Sequence, residues 1–165
     1  MLLSRTFLVA YFAIHLVVSL CIDSQAILSP GFFPTPLKEL VQWYTETFKD
    51  FLMSNPPTWF QSCIWIELLL QCPYFLYGII SLISRAGKQD NKLFGSISII
   101  YGASTVTTLI PILATFVNAS GLNTLEKTKL VIIYAPFLVI PLLIMINFAF
   151  FVGNRSKKEK YQKSK

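Results

Sequence analysis

Two carboxyl groups of this chain stand in apolar surroundings, where a charge is costly. Glu67 interrupts the run WIELLLQCPYF, and Asp23 directly follows the apolar stretch FLVAYFAIHLVVSLCI. A carboxylate at the middle of a membrane helix costs about 2.5–3.5 kcal/mol on insertion scales. If both groups face one apolar cavity, one should hold a proton, because like charges repel strongly in a low dielectric. A protonated Glu67 donating to an ionised Asp23 would leave a buried anion, suited to a cationic amine or to proton chemistry.

Further polar side chains follow the same helix faces. Gln71 lies four positions after Glu67 and therefore shares its face, and Tyr134 stands near a proline in a later apolar run. One side of another helix carries the polar groups of YGASTVTTLIP, namely Tyr101, Ser104, Thr105 and Thr108. These groups fit an inward-facing polar lining, or hydrogen bonds that only hold the helices together. A lone His15 is more typical of packing or hydrogen bonding than of ligand binding.

The elements that carry these residues are predicted to be membrane helices. The chain has 165 residues, 54% hydrophobic and 13% charged, whereas soluble domains carry about 25% charge. Four apolar segments reach the length that spans hydrocarbon, at about residues 7–24, 59–83, 94–117 and 130–152. The first lacks a small-x-small cleavage site, which favours a retained helix over a signal peptide. Prolines inside the later segments predict kinks around a cavity: Pro73, Pro111, Pro136 and Pro141.

The fold class is thus an all-α membrane protein, a four-transmembrane-helix bundle with kinked helices around an internal pocket. Residues 1–153 form this domain, and 154–165 form a basic tail with six basic residues and one Glu. Apolar residues between Leu37 and Met53 recur near the helical period, so the connection 25–57 should be amphipathic. Basic residues in the tail and in the loop 84–93 predict that both termini are cytoplasmic.

Several classes of function are disfavoured by composition. The three cysteines, Cys21, Cys63 and Cys72, show no CxxC spacing, which argues against a disulfide framework or a zinc site. We therefore expect no metal and no cofactor. The basic excess is confined to a short tail without interleaved aromatic residues, so nucleic acid is not an expected partner. Anionic membrane lipids are an expected partner, since basic segments next to a membrane helix attract them.

Five short segments then point to a family: DSQAIL, FKDFLMSNPPTWF, IELLLQCPYF, TTLIPIL and YAPFLVIP. In order and spacing they resemble the EXPERA family, which is also the family of emopamil-binding protein, a sterol Δ8–Δ7 isomerase. The resemblance runs from about residue 7 to the tail. It implies a four-helix bundle, commonly homodimeric, in the membrane of the endoplasmic reticulum and nuclear envelope. It also implies sterol, oxysterol and lipophilic amine ligands, and a link to a Niemann–Pick-type cholesterol transporter.

The resemblance implies roles for individual residues. Asp23 would pair with a ligand amine, and Glu67 would support Asp23 by hydrogen bonding. Asp50 would be an acidic group that is important for binding or for holding the connecting loop. The remaining pocket contacts carried over from the family are polar: Gln71, Tyr101, Thr108 and Tyr134.

Two functions follow, one a ligand-binding membrane protein that influences sterol handling and the other a sterol isomerase. The isomerase would use Glu67 and Asp23 to add and remove protons. The isomerase branch of the family places a His one turn before the Glu of helix two, where this chain has Cys63. That difference removes one expected acid–base group and favours the non-enzymatic function, so no residue is assigned as catalytic. A trafficking or quality-control partner with a vestigial pocket is a third alternative.

Overall fold

The computed structural model describes residues 3–84 and 92–163, and side chains are described as far as residue 150. The basic positions at 85–91 and the side chains of the tail lie outside this part, so the predicted orientation stays a prediction. Every regular element in the described ranges is helical. Four helical segments are long and apolar enough to cross a membrane, which confirms the predicted all-α, four-span fold.

The longer helices alternate with short turns. In chain order they are α1 (Arg5–Cys21), α2 (Thr35–Phe48), α3 (Phe51–Ser54), α4 (Thr58–Ile66), α5 (Cys72–Ile83), α6 (Lys92–Asn118) and α7 (Thr124–Lys163). Tight 3-10 turns follow α1 at Asp23–Ala26 and precede α2 at Pro30–Phe32. A wider π-helical turn, Glu67–Gln71, joins α4 to α5 within one membrane span, Thr58–Ile83. The other spans are Arg5–Ala26, Leu93–Asn118 and Thr124–Phe150.

The last helix begins earlier than hydropathy predicts. The helix starts at Thr124 and not near residue 130 as predicted, because Asn123 and Glu126 cap each other's backbone N–H groups. The backbone N–H of Asn123 donates to Glu126 Oε2 at 2.9 Å, and the N–H of Glu126 donates to Asn123 Oδ1 at 3.0 Å. Such a capping box stabilises the start of a helix among polar residues. A search for apolar segments leaves these polar residues out, so it places the start of the helix too late.

The end of α1 is set by two polar side chains. The hydroxyl of Ser24 donates to the carbonyl of Leu20 at 2.7 Å. The side-chain amide of Gln25 donates to the carbonyl of Cys21, also at 2.7 Å. These bonds satisfy carbonyls that a helix end leaves free. As a result the chain tightens into the 3-10 turn, and Asp23 is its first residue.

The second span changes its winding immediately before Pro73. In the turn Glu67–Gln71 the N–H of Cys72 bonds the carbonyl of Glu67, five residues back. Proline has no N–H to continue an α-helical ladder, and a local π adjustment can accommodate such an interruption in a membrane helix. Single π turns are frequently found at functional sites. By contrast, α6 and α7 continue through Pro111, Pro136 and Pro141.

Close packing fixes the helices around two hydrophobic clusters. At Gly102 of α6 a Cβ atom would lie only 2.6 Å from the carbonyl oxygen of Pro141, so α6 and α7 are in near-backbone contact. At Gly78 of α5 a Cβ would lie 2.9 Å from the ring of Phe12 on α1. One cluster is rich in aromatic rings, including Phe12, Tyr74, Phe75, Tyr101 and Phe148. The other, which includes Met53, Phe60, Ile64 and Leu109, borders the cavity described next.

Candidate functional site

A cavity of about 230 Å³ lies inside the bundle. All four spans contribute to its wall, and α2 and α3 contribute one residue each, Tyr44 and Met53. Most of the wall is apolar. The polar side chains that line it are His15, Asp23, Tyr44, Glu67 and Tyr134. An apolar chamber with a few convergent polar groups is the usual form of a small-molecule site.

Asp23 reaches this cavity from the turn after α1. Its side chain is partly accessible and lines the cavity. No hydrogen bond from the described residues reaches its carboxyl group, and the charged neighbours that act on it are Glu67 and Asp50, both acidic. Asp23 is therefore a carboxyl group that faces an apolar space and lacks a donor within the described chain.

Glu67 has different partners from those expected. The hydroxyl of Ser19 bonds Oε1 of Glu67, and Nε2 of His15 lies 3.4 Å from the same oxygen. The predicted hydrogen bond from Glu67 to Asp23 is not among the contacts of the described residues. His15 and Ser19 are four apart on α1 and so present one face to Glu67, whereas Asp23 lies beyond the end of that helix.

A chain of hydrogen bonds continues from His15 away from the cavity. Nδ1 of His15 lies 3.1 Å from the hydroxyl of Tyr11, which lies 3.2 Å from the hydroxyl of Tyr101. The imidazole ring also packs against Phe75 and Phe137, at ring-centre distances of 4.7 and 4.9 Å. The series of hydrogen bonds thus ends at Tyr101, behind the cavity wall, and Tyr101 does not line the cavity.

Gln71 and Thr108 also lie outside the wall. The hydroxyl of Thr105 donates to Oε1 of Gln71 at 3.1 Å, and both side chains are buried. The hydroxyl of Thr108 donates to the carbonyl of Thr105 at 3.0 Å. In this structure these groups join the second and third spans, and their contact with a ligand stays a prediction.

Asp50 is fully buried and holds three elements together. Its carboxylate accepts from the hydroxyls of Tyr44 and Tyr134, each at 2.8 Å, and from the N–H of Met53 at 3.1 Å. Lys49 takes the left-handed conformation, with φ 59°, and thereby turns the chain from α2 towards Asp50. Burial, and next the charge of Asp50, raise the pKa of Tyr44 well above its ordinary value, so Tyr44 keeps its proton and donates.

Comparison with known proteins identifies the family. Residues 36–148 match the model of EXPERA, the expanded EBP superfamily. The chain is 33% identical over 161 residues to "Sigma intracellular receptor 2" of Xenopus tropicalis, covering 93% of this chain and 92% of the relative. This chain belongs to the EXPERA family. It is also 38% identical over 147 residues to the Homo sapiens protein of the same name, covering 82% and 81% of the two chains.

A fungal relative is similar along almost its whole length. "Efficient mitochondria targeting-associated protein 19" of Saccharomyces cerevisiae is 27% identical to this chain over 149 residues, covering 84% of this chain and 92% of the relative. The predicted family is therefore confirmed. Relatives with different names are similar to most of this chain, so function has to be argued from the site itself.

Three residues that the sequence predicts in the pocket, Asp23, Glu67 and Tyr134, line the cavity. The positions of His15, Ser19 and Tyr44 at this site were not predicted. For α1 a signal existed: Tyr11, His15, Ser19 and Asp23 are spaced by four, which is a polar stripe along one helix face. For Tyr44 no comparable signal existed, because its partner Asp50 lies beyond a left-handed turn.

The Asp50 contacts generate a testable prediction. Tyr44→Phe removes one donor from a buried carboxylate, and hydrogen bonds to charged groups contribute about 1.5–3 kcal/mol. We expect the variant to unfold at lower temperature than the parent in detergent, as measured by tryptophan fluorescence. Tyr77→Phe is the matched control, because Tyr77 packs against Phe94 and its hydroxyl makes no hydrogen bond with the described residues. Equal melting temperatures for the two variants would contradict the stabilising role of Tyr44.

Proposed function

We propose that this EXPERA protein binds lipophilic amines and sterol-like lipids in its intramembrane cavity and thereby influences sterol handling. One observation carries the proposal. Two carboxyl groups, Asp23 and Glu67, line the cavity, and Asp23 is the one without a hydrogen-bond donor among the described residues. Since an unpaired buried charge is costly, a ligand that supplies a positive charge or a donor would relieve that cost.

A lipophilic ammonium satisfies both parts of this site. Its charge can pair with Asp23, and its apolar body can lie against residues such as Phe60, Ile64 and Leu109. The aromatic rings of Tyr44 and Tyr134 also line the cavity, and the faces of such rings attract cations. These features support a cation that carries an apolar group as the proposed ligand.

A sterol would use the same features in a different way. Its rigid rings match an apolar wall, and its single hydroxyl can donate to the free carboxyl of Asp23. The relatives named as intracellular receptors support a ligand-binding role for this chain. Sterols or oxysterols are thus the proposed natural ligands, and lipophilic amines are proposed to bind the same cavity through the charge of Asp23.

The proposal includes a location. The family resemblance and the basic tail support the endoplasmic reticulum membrane with both termini in the cytoplasm. A homodimer and a Niemann–Pick-type transporter as partner stay predictions. Imaging against a reticulum marker tests the location, and protease treatment of sealed microsomes should remove a tag from either terminus. Protection of one terminus would overturn the orientation.

The charge of Asp23 is tested with a matched pair of ligands. Benzyltrimethylammonium is a permanent monocation, and neopentylbenzene has the same shape without the charge. Asp23→Asn should weaken binding of the cation by two to three or more decades, because breaking a buried ion pair costs about 3–5 kcal/mol. Calorimetry in nanodiscs, corrected with empty nanodiscs, gives both affinities, and the neutral isostere should be unaffected.

Two further variants complete this test. Glu39→Gln removes an exposed acid on α2 and should leave both affinities unchanged. Glu67→Gln keeps a side chain of similar shape that can bond Ser19, so its loss for the cation should be much smaller than that of Asp23→Asn. An equal or larger loss at Glu67 would show that the two carboxyl roles are assigned wrongly.

One observation favours a second function, a sterol isomerase. The sequence argument against it depended on Cys63, but the structure brings His15 from α1 to within 3.4 Å of Glu67 at the cavity wall. An acid–base pair could add a proton to one alkene carbon and remove a proton from the saturated carbon attached to the other alkene carbon, which moves the double bond by one position.

Expression in cells that lack their own sterol isomerase separates the two functions. Under the binding proposal, we expect no restoration of Δ7 sterols. Restored Δ7 sterols that disappear with His15→Asn would establish the enzymatic function in its place. Immunoblotting of the membrane fraction ensures that each variant is present at equal amounts.

A further inference from the structure

We infer that the outer side of α2 is a lipid-binding surface, which inserts among the acyl chains of the membrane leaflet at its end of the bundle. The surface consists of the exposed residues Pro36, Leu40 and Trp43 of α2, together with Phe32 in the turn that precedes it. None of these four residues lines the cavity. The inference is therefore separate from the proposed function and does not depend on it.

The helix α2 lies across one end of the bundle. It belongs to the segment that connects the first span to the second. Near its start, the side-chain amide of Gln25 donates to the carbonyl of Leu37 at 3.2 Å. Two turns later, the hydroxyl of Tyr44 donates to Asp50, which also accepts from Tyr134 of α7. Because both parts of α2 are bound to the bundle, the helix lies along its end and does not project away from it.

One side of α2 packs on the bundle. Val41, Tyr44 and Phe48 are partly buried against the hydrophobic cluster that borders the cavity. They are three and four positions apart and so share one face of the helix. No side chain of α2 is fully buried, so the bundle covers the helix from this side only.

The neighbouring side of α2 is apolar but uncovered. Pro36, Leu40 and Trp43 are four and three positions apart, and they form a second stripe directly beside the inner one. The side chain of Leu40 is 46% exposed, that of Trp43 is 56% exposed and that of Phe32 is 76% exposed. The apolar part of the helix surface is thus wider than the area that the bundle buries.

Polar residues occupy the remaining side of α2. Glu39, Gln42 and Glu46 are exposed, and they too are three and four positions apart. The side-chain amide of Gln42 donates to Oε1 of Glu46 at 2.9 Å. A helix with one apolar and one polar side is typical of segments that lie in the plane of the membrane interface. Such helices bury their apolar face about 5–10 Å into the boundary between headgroups and acyl chains.

The position of the stripe favours lipid as its partner. The stripe lies at the end of two membrane spans, so it continues the apolar surface that these spans present to acyl chains. Trp59, which begins the second span at the same end, is 38% exposed, and tryptophan is enriched at this level of a bilayer. The helix and its C-cap carry two lysines and two glutamates. Insertion of apolar side chains, and not attraction to anionic headgroups, would therefore hold α2 at the membrane.

The fluorescence of Trp43 tests the inference directly. The chain has three tryptophans, so Trp59→Phe/Trp65→Phe leaves Trp43 alone, and both replaced side chains are exposed. This variant is reconstituted at high dilution in phosphatidylcholine vesicles whose acyl chains carry bromine near the headgroup. Bromine quenches tryptophan only at close range. We expect strong quenching of Trp43, and weaker quenching when the bromine is placed near the chain ends.

A matched control moves the tryptophan to the polar side of the same helix. Adding Trp43→Phe and Gln42→Trp to this background shifts the fluorophore by one residue, which is about 100° around the helix. Its emission should lie at longer wavelength than that of Trp43. It should be quenched by aqueous acrylamide and only weakly by brominated lipid. Glu46→Trp in place of Gln42→Trp gives a second control on this side, and circular dichroism checks that each variant keeps its helix content.

The inference is overturned if brominated lipid quenches Trp43 no more than it quenches the tryptophan of the controls. Quenching of Trp43 by acrylamide alone would show that the stripe faces water. Quenching by neither agent would show that a second copy of the chain or another part of the protein covers it.

Discussion

A carboxyl group buried among membrane helices must find donors or a positive charge, and the inner structure of this protein follows from that constraint. Asp50 receives three donors from α2, α3 and α7, which fixes the connecting segment to the bundle. Glu67 is matched by Ser19 and His15 of α1, which joins the first span to the second. Asp23 has no such donor among the described residues, and it is the group that the proposed ligand would complete.

Two local features bring these groups together. On α1 the polar residues repeat every four positions, so they form one stripe that ends where Ser24 and Gln25 close the helix. In the second span a π turn lies directly before Pro73 and carries Glu67 at its first position. Close packing of Gly78 against Phe12 holds α1 and the second span close enough for this stripe and this turn to meet. The cavity therefore depends on helix ends and turns as much as on side-chain identity.

The spans, the family and the two cavity carboxyls could be predicted from the sequence, because hydropathy and polar interruptions in apolar runs are local signals. The pairing of His15 with Glu67 could not, since it depends on how two distant helices face each other. Gln71 shares a face with Glu67 in a regular α-helix, but the π turn separates them, and Gln71 bonds Thr105. The start of α7 was also missed, because its capping box consists of polar residues.

The π turn gives the second span an unusual sensitivity to length. A regular α-helix advances about 100° per residue, so removing one residue from Glu67–Gln71 would rotate α4 relative to α5 by about that angle. The aromatic face of α5 that packs on Phe12 would then no longer match the face of α4 that borders the cavity. Substitutions alter individual contacts in this span, whereas a one-residue deletion would change the registration of two half-helices, each packed on a different cluster. The number of residues between Phe60 and Phe75 is thus itself a structural determinant of the pocket.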